Sequence, residues 1–213
     1  MLSDQLRQCS IVFWDFDGVI KETVDVKTEA YVRLFLPFGS AIAARVREHH
    51  ENHGGVSRFE KVPLYLQWAG RAASPNEVAR YCEQFSAAVF QAVLDAAWVP
   101  GAREYLRANH AAQRLVLVTG TPQAEIERIL DISGIAECFW EVHGAPTAKA
   151  SAITSALARL NCRCEDALMI GDSEADFAAA LATNVPFLLR RTPSNLALQQ
   201  SYAGPQCEDF LDG

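Results

Sequence analysis

At 213 residues the chain can bury a substantial core, as one domain or as a domain with a modest insertion. Hydrophobic residues make up 50% and charged residues 21%, an ordinary globular composition that excludes a disordered or fibrous chain. The net charge of -7 argues against sequence-independent nucleic-acid binding. No apolar run approaches the roughly 18 residues of a membrane span. The N-terminal MLSDQLRQCS has no apolar segment behind a basic one. The sequence is thus expected to belong to a cytoplasmic protein with neither nucleic acid nor membrane as partner.

In chain order, IVFW (residues 11–14) reads as a short buried strand, and Asp15 and Asp17 follow it directly before Gly18. Charge at the end of a buried strand is costly unless it is paired or bound to a metal. From about Val24 to Ala97 apolar residues recur every three or four positions in VKTEAYVRLFL, SAIAARVREHH, RFEKVPLYLQW and NEVARYCEQFSAAVFQAVL, predicting a four-helix insert broken at Pro37, Gly39, Gly54, Gly55 and Pro75. After Pro100 and Gly101 the pattern changes. Strands RLVLVTG, CFWEVHG, DALMIGD and VPFLLRR alternate with helices QAEIERILDIS, KASAITSALARL and EADFAAALAT. That alternation predicts a doubly wound parallel α/β sheet whose ligands sit beyond the carboxyl ends of the strands. The core then comprises residues 1–20 and 98–213 and the helical insert residues 21–97, with SYAGPQCEDFLDG as loop plus a short terminal piece.

The six cysteines are scattered and read as free thiols, and the C-x-C of Cys162 and Cys164 has no second pair to complete a zinc site. His49, His50 and His53 in EHHENH have no general base between them and read as a solvated helix end.

The polar residues at the strand ends collect on one rim: Asp15 and Asp17 after the first strand, Thr119 and Gly120 after RLVLV, Lys149 opening a helix, Asp172 and Asp176 after ALMI. Carboxylates such as Asp15 and Asp172 can hold Mg2+ through oxygen, while Thr119, neighbouring backbone N–H groups and Lys149 can hold a phosphate. An ionised carboxylate can attack phosphorus, and a second acid two residues on can protonate the leaving alcohol and later activate water. Taken singly, Asp15 and Asp17 would also serve a turn, Asp172 a helix cap, and Asp176 the first turn of a helix.

DFDGV, TGT, the lysine of TAKAS and GDSEAD, in that order and around a helical insert, resemble the haloacid dehalogenase superfamily of phosphatases over nearly the whole chain. The resemblance implies Asp15 as nucleophile and Mg2+ ligand, Asp17 as general acid/base and ligand through its main-chain carbonyl, Asp172 as a further ligand and Asp176 in support of the metal site. It implies Thr119, Gly120 and Lys149 as binders of the transferring phosphoryl group. Lys149 is followed by Ala150, where the family often has proline.

By the same resemblance the insert is a cap that closes over the rim and selects the substrate. GGVSRFEK is similar to a family loop whose arginine holds the far end of the substrate, which points to Arg58; a surface arginine at a helix start is the plainer alternative. Lys27 is the second cap candidate and stands where the family's sugar-phosphate mutases carry a histidine. The activity implied is a Mg2+-dependent phosphatase for a small phosphorylated metabolite, such as a sugar phosphate or a phosphoglycolate-like acid, working as a monomer or weak dimer. The nearest rival is a phosphomutase of the β-phosphoglucomutase type. A phosphonate hydrolase would need an imine-forming cap lysine, for which Lys61 is the candidate. A phospho-accepting or accessory protein without catalysis is the reading from another class.

Overall fold

The computed structural model describes residues 6 and 8–211; the N-terminal residues read above for a leader therefore lie largely outside the described residues. The sheet has six parallel strands, β1 Ile11–Trp14, β2 Arg114–Pro122, β3 Glu141–Ala145, β4 Ala167–Gly171, β5 Phe187–Arg190 and β6 Gln206–Cys207, in the order β3-β2-β1-β4-β5-β6. All four residues of β1 are buried, as expected of a central strand covered on both faces. Because side chains alternate across a strand, Val12, Trp14, Leu115, Leu117 and Ile170 pack on one face, and Ile11, Phe13, Val116, Val118 and Met169 on the other.

Between β1 and β2 the chain forms α1 Val24–Phe35, α2 Ser40–Asn52, α3 Arg58–Trp68, α4 Pro75–Asp95 and α5 Ala102–Asn109. The first four are the helices the periodicity predicts. Ser57 and Ser74 cap α3 and α4, each accepting a hydrogen bond from a first-turn amide, and Pro75 sits where a helix tolerates its missing N–H. The buried residues of the insert, among them Tyr31, Phe35, Val46, Tyr65 and Phe85, join the same apolar cluster as Val12 and Trp14 of the sheet.

The remaining helices are α6 Gln123–Ser133, α7 Lys149–Leu160, α8 Glu174–Thr183 and α9 Leu196–Ser201. Helix α6 packs its Ile126, Ile129 and Leu130 into the first cluster, and α7 and α8 pack Ala152, Ile153, Ala156, Ala179 and Ala180 into the second. Among the described residues the structure adds to the sequence reading α5, α9 and, inside a stretch read as loop, β6, besides the short 3-10 turns Leu36–Phe38, Ala136–Cys138 and Cys164–Asp166. None of the six cysteines is joined in a disulfide. Among the described residues no helix is long and apolar enough to cross a membrane.

Candidate active site

The turn after β1 carries Asp15 and Asp17. Asp15 N donates to the Ile170 carbonyl at 3.0 Å, so the carboxylate leaves the sheet where β1 and β4 end side by side. Gly18 has φ +73, and a Cβ there would run into the Asp172 carboxylate. Glycine follows the second acid because both the left-handed backbone and the space for Asp172 demand it.

Asp15, Asp172 and Asp176 each offer a carboxylate oxygen, all within 4.8 Å of one another, and all three side chains are buried. Burial pushes the Asp15 carboxyl up to about 7; Asp176 adds to the rise and Lys149 opposes it. Burial, then Asp176 and Asp15, hold Asp172 well above the usual carboxylate range. Lys149, at the first turn of α7, lies 2.5 Å from Asp176 Oδ1 and 3.1 Å from Asp15 Oδ2. Against the cost of its own burial, those two acids hold its ammonium above the ordinary lysine range. One buried lysine among three acids leaves an excess of negative charge. Asp15 Oδ1 is also buried without a hydrogen-bond partner among the described residues. An oxygen-only donor set with an orphaned lone pair fits a hard divalent cation such as Mg2+.

Asp176 belongs to this cluster and to the α8 cap together. Its Oδ2 accepts from the Ser173 hydroxyl at 2.6 Å and the Ser173 amide at 3.2 Å, completing a capping box. The helix is capped by Ser173, not by Asp172, whose carboxylate stays free to face the site.

The Asp17 side chain turns away from the cluster. It accepts hydrogen bonds from Thr23 Oγ1 at 2.5 Å, Lys27 Nζ at 2.5 Å and Thr121 Oγ1 at 3.2 Å. Burial alone would raise its pKa, but Lys27 and these hydroxyls hold it below the usual range. The two acids of DFD are thus driven in opposite directions, an arrangement characteristic of paired carboxylates with different tasks.

Strand β2 loses its regular pairing with β3 between Val118 and Pro122, at the TGT motif. Thr119 is buried there, its hydroxyl accepting from Thr121 N at 3.2 Å. Gly120 lines a cavity of about 120 Å3 with Asp15, Asp17, Asp172 and, from the insert, Lys27, Arg58 and Lys61. A Cβ on Gly120 would lie 2.6 Å from the Gly55 carbonyl oxygen, so glycine lets the loop before α3 close down on the TGT loop.

The guanidinium of Arg58, read in the sequence as a substrate grip, lines the cavity but is already engaged. It donates to Glu125 at 2.8 and 2.6 Å and to the Ser86 hydroxyl, and lies over the Phe85 ring. EHHENH is not a solvated helix end at His50: that ring is buried, shares a 2.8 Å hydrogen bond with Lys61 and packs on Tyr31. The sequence reading missed Thr121, Glu125 and Arg190. Arg190 braces the turn after β1 by donating to the Gly18 carbonyl at 3.2 Å while paired with Glu22.

A doubly wound sheet with an acidic cluster and a lysine at the carboxyl ends of its strands is the frame of an α/β enzyme core whose ligands sit at that rim. The family model of haloacid dehalogenase-like hydrolases matches residues 9–183, and the chain belongs to that family. Solved structures give the same fold. A predicted phosphoglycolate phosphatase of Haemophilus somnus 129PT is 19% identical with TM-score 0.73, each chain being covered over 95%. The β-phosphoglucomutase of Clostridium difficile is 18% identical with TM-score 0.73, covering 95% of this chain and 92% of that one. CbbY of Rhodobacter sphaeroides, solved with xylulose-1,5-bisphosphate, is 18% identical with TM-score 0.74 and 96% of each chain covered. No curated protein sequence matches the chain significantly.

Proposed function

We propose that this hydrolase is a Mg2+-dependent phosphatase of a small phosphorylated metabolite, acting through a phosphoryl group carried on Asp15. The observation that supports this most is the cluster of Asp15, Asp172 and Asp176, its oxygens within 4.8 Å and Asp15 Oδ1 lacking a partner among the described residues. These three acids, with the main-chain carbonyl of Asp17, would hold the ion, which when bound offsets the crowded carboxylates and the charge of the phosphoryl oxygens.

The other parts are played by the chain itself. The Asp15 carboxylate attacks phosphorus, the P–O bond to the alcohol breaks, and Asp17 gives the departing oxygen a proton. Asp17 then takes a proton from the water that attacks the aspartyl-phosphate, freeing phosphate and Asp15. Lys149, Gly120 and the amides around Thr119 stabilise the phosphoryl oxygens. Residues 21–97 act as the cap over a core of residues 1–20 and 98–213, in keeping with a cavity lined from both. The same reading takes the protein as cytoplasmic, a monomer or weak dimer, with a small phosphorylated molecule as its partner.

A phosphomutase would use the same centre. Lys27, which pairs with Asp17 and stands where the family's sugar-phosphate mutases carry a histidine, favours hydrolysis. The test is a panel of phosphate monoesters assayed for phosphate release with and without Mg2+. Turnover that requires Mg2+ and is stopped by EDTA is expected. Metal-independent turnover, or isomerisation of a sugar phosphate without net phosphate release, would overturn the proposal.

A further inference from the structure

Three basic side chains of the insert line the cavity: Lys27, Arg58 and Lys61. Two have acidic partners, Asp17 for Lys27 and Glu125 for Arg58. Lys61 has none in ion-pair contact among the described residues. It is 1% exposed, and among the described residues the one hydrogen bond of its side chain runs between Nζ and His50 Nδ1, 2.8 Å apart. His50 is itself buried and fixed against the Tyr31 ring, so the amine is held in place by a neutral neighbour. An amine walled into a protein without a counter-charge is less stable than a methionine of similar size in the same space. Such a group makes physical sense where a ligand brings the missing charge.

The groups that face Lys61 agree. Lys27 from α1 and Lys149 from the core disfavour its charged form, His50 from α2 brings no counter-charge, and Asp17 from the core and Glu60 on its own helix favour it only partly. With burial as the largest cause, its pKa falls to about 7, and His50 is held well below the usual imidazole range by burial and by Lys61. The amine of the free protein is thus largely uncharged above neutrality, and an anion brought against it would draw a proton from solvent.

We propose that Lys61, backed by His50, is a subsite for a second anionic group on the substrate, so that the ester taken by this protein carries a carboxylate or a second phosphate at the end away from the reacting phosphoryl group. This inference rests on the phosphatase reading for the identity of the first group. The second anion pairs with the ammonium that Lys61 becomes on binding. No bond is made or broken at Lys61 apart from the one N–H formed with a proton from solvent.

The test uses three esters on one two-carbon frame: ethyl phosphate, 2-phosphoglycolate and ethylene glycol bisphosphate, with Mg2+ present. A charge-assisted contact predicts kcat/KM for one or both of the doubly anionic esters about 10- to 150-fold above ethyl phosphate. Whichever is preferred identifies the second group as carboxylate or phosphate. Lys61→Met should level the series. Calorimetry at pH 8.5, in buffers of different ionisation heat, should show up to about one more proton taken up with the preferred ester than with ethyl phosphate, a difference lost in Lys61→Met. This second measurement needs no turnover. If no ester is hydrolysed but the preferential binding and proton uptake persist, the phosphatase reading fails and the subsite stands. Equal kcat/KM and equal proton uptake across the series in the wild type, or a preference kept intact in Lys61→Met, would overturn the subsite.

Discussion

Arg58 of the insert and Glu125 of the core form a two-pronged ion pair at 2.8 and 2.6 Å, nearly closed to solvent, with the Ser86 hydroxyl adding a 2.6 Å hydrogen bond to Glu125. The pair fastens the first residue of α3 to the first turn of α6, across the seam above the cavity. Removing one partner of a buried pair strands the other. Glu125→Ala should therefore cost roughly 3 to 5 kcal/mol in urea unfolding. Arg58→Ala should depress kcat/KM for a metabolite ester and for p-nitrophenyl phosphate alike, because both need the closed seam. A loss confined to the metabolite ester would return Arg58 to substrate contact.

Asp15→Asn should abolish turnover, since an amide neither attacks phosphorus nor holds Mg2+ well. In metal-free buffer the same change should raise stability near neutral pH by about 1 kcal/mol or more. A carboxyl raised to about 7 disfavours the folded state progressively as pH climbs from its ordinary value of 3.8, and asparagine removes that burden. Thermal melts between pH 4 and 8 check the sign: the variant should gain most at the upper end. Unchanged melting at pH 7.5 would count against the crowding of the acids.

Lys27→Met should release Asp17 from the charge that keeps its pKa low. The basic limb of the kcat/KM profile, which reports the protonated carboxyl that the leaving oxygen needs, should then move to higher pH by about 1 unit. Asp17→Asn should cost on the order of 100-fold or more in kcat. A profile that keeps its basic limb in Lys27→Met would show that Asp17 is held by its hydroxyl partners alone.

Lys61→Met should stabilise the free protein, by ~1 to 4 kcal/mol at pH 7. The folded-state pKa lies near 7 and the ordinary lysine value is 10.5, so between them the unfolded chain binds more protons and stability climbs with pH. That climb should flatten in the variant. Urea titrations at pH 7, 8.5 and 10 read it directly, and parallel curves for wild type and variant would contradict the burial of an unpaired amine.

Much of the fold and the centre was legible because each catalytic candidate breaks a local pattern: Asp15 and Asp172 are charges at the ends of fully apolar strands, and Lys149 opens a helix. What escaped depends on distance along the chain. Nothing near Arg58 points to Glu125, 67 positions away. The burial of His50 was available and overlooked, since Ala43, Val46 and His50 repeat on one helical face. On α3 the buried stripe is Arg58, Lys61, Val62, Tyr65 and Leu66, in which two charges occupy apolar positions. That mismatch is itself a signal of function. Strand β6 has only two residues, too short for any alternation, and is recognisable only through its backbone pairing with β5.

Where Gly120 meets the Gly55 carbonyl, the two halves of the molecule touch backbone to backbone, with less room than a methyl group needs. Most seams in proteins can drift through a series of slightly larger or smaller side chains. This one has no such gradient: alanine, the smallest departure from glycine, already acts as a wedge, and the first step is as disruptive as any later one. Variation in what this protein accepts has therefore to come from the walls of the cavity, at positions such as Lys27 and Lys61, while the hem along which it shuts stays fixed.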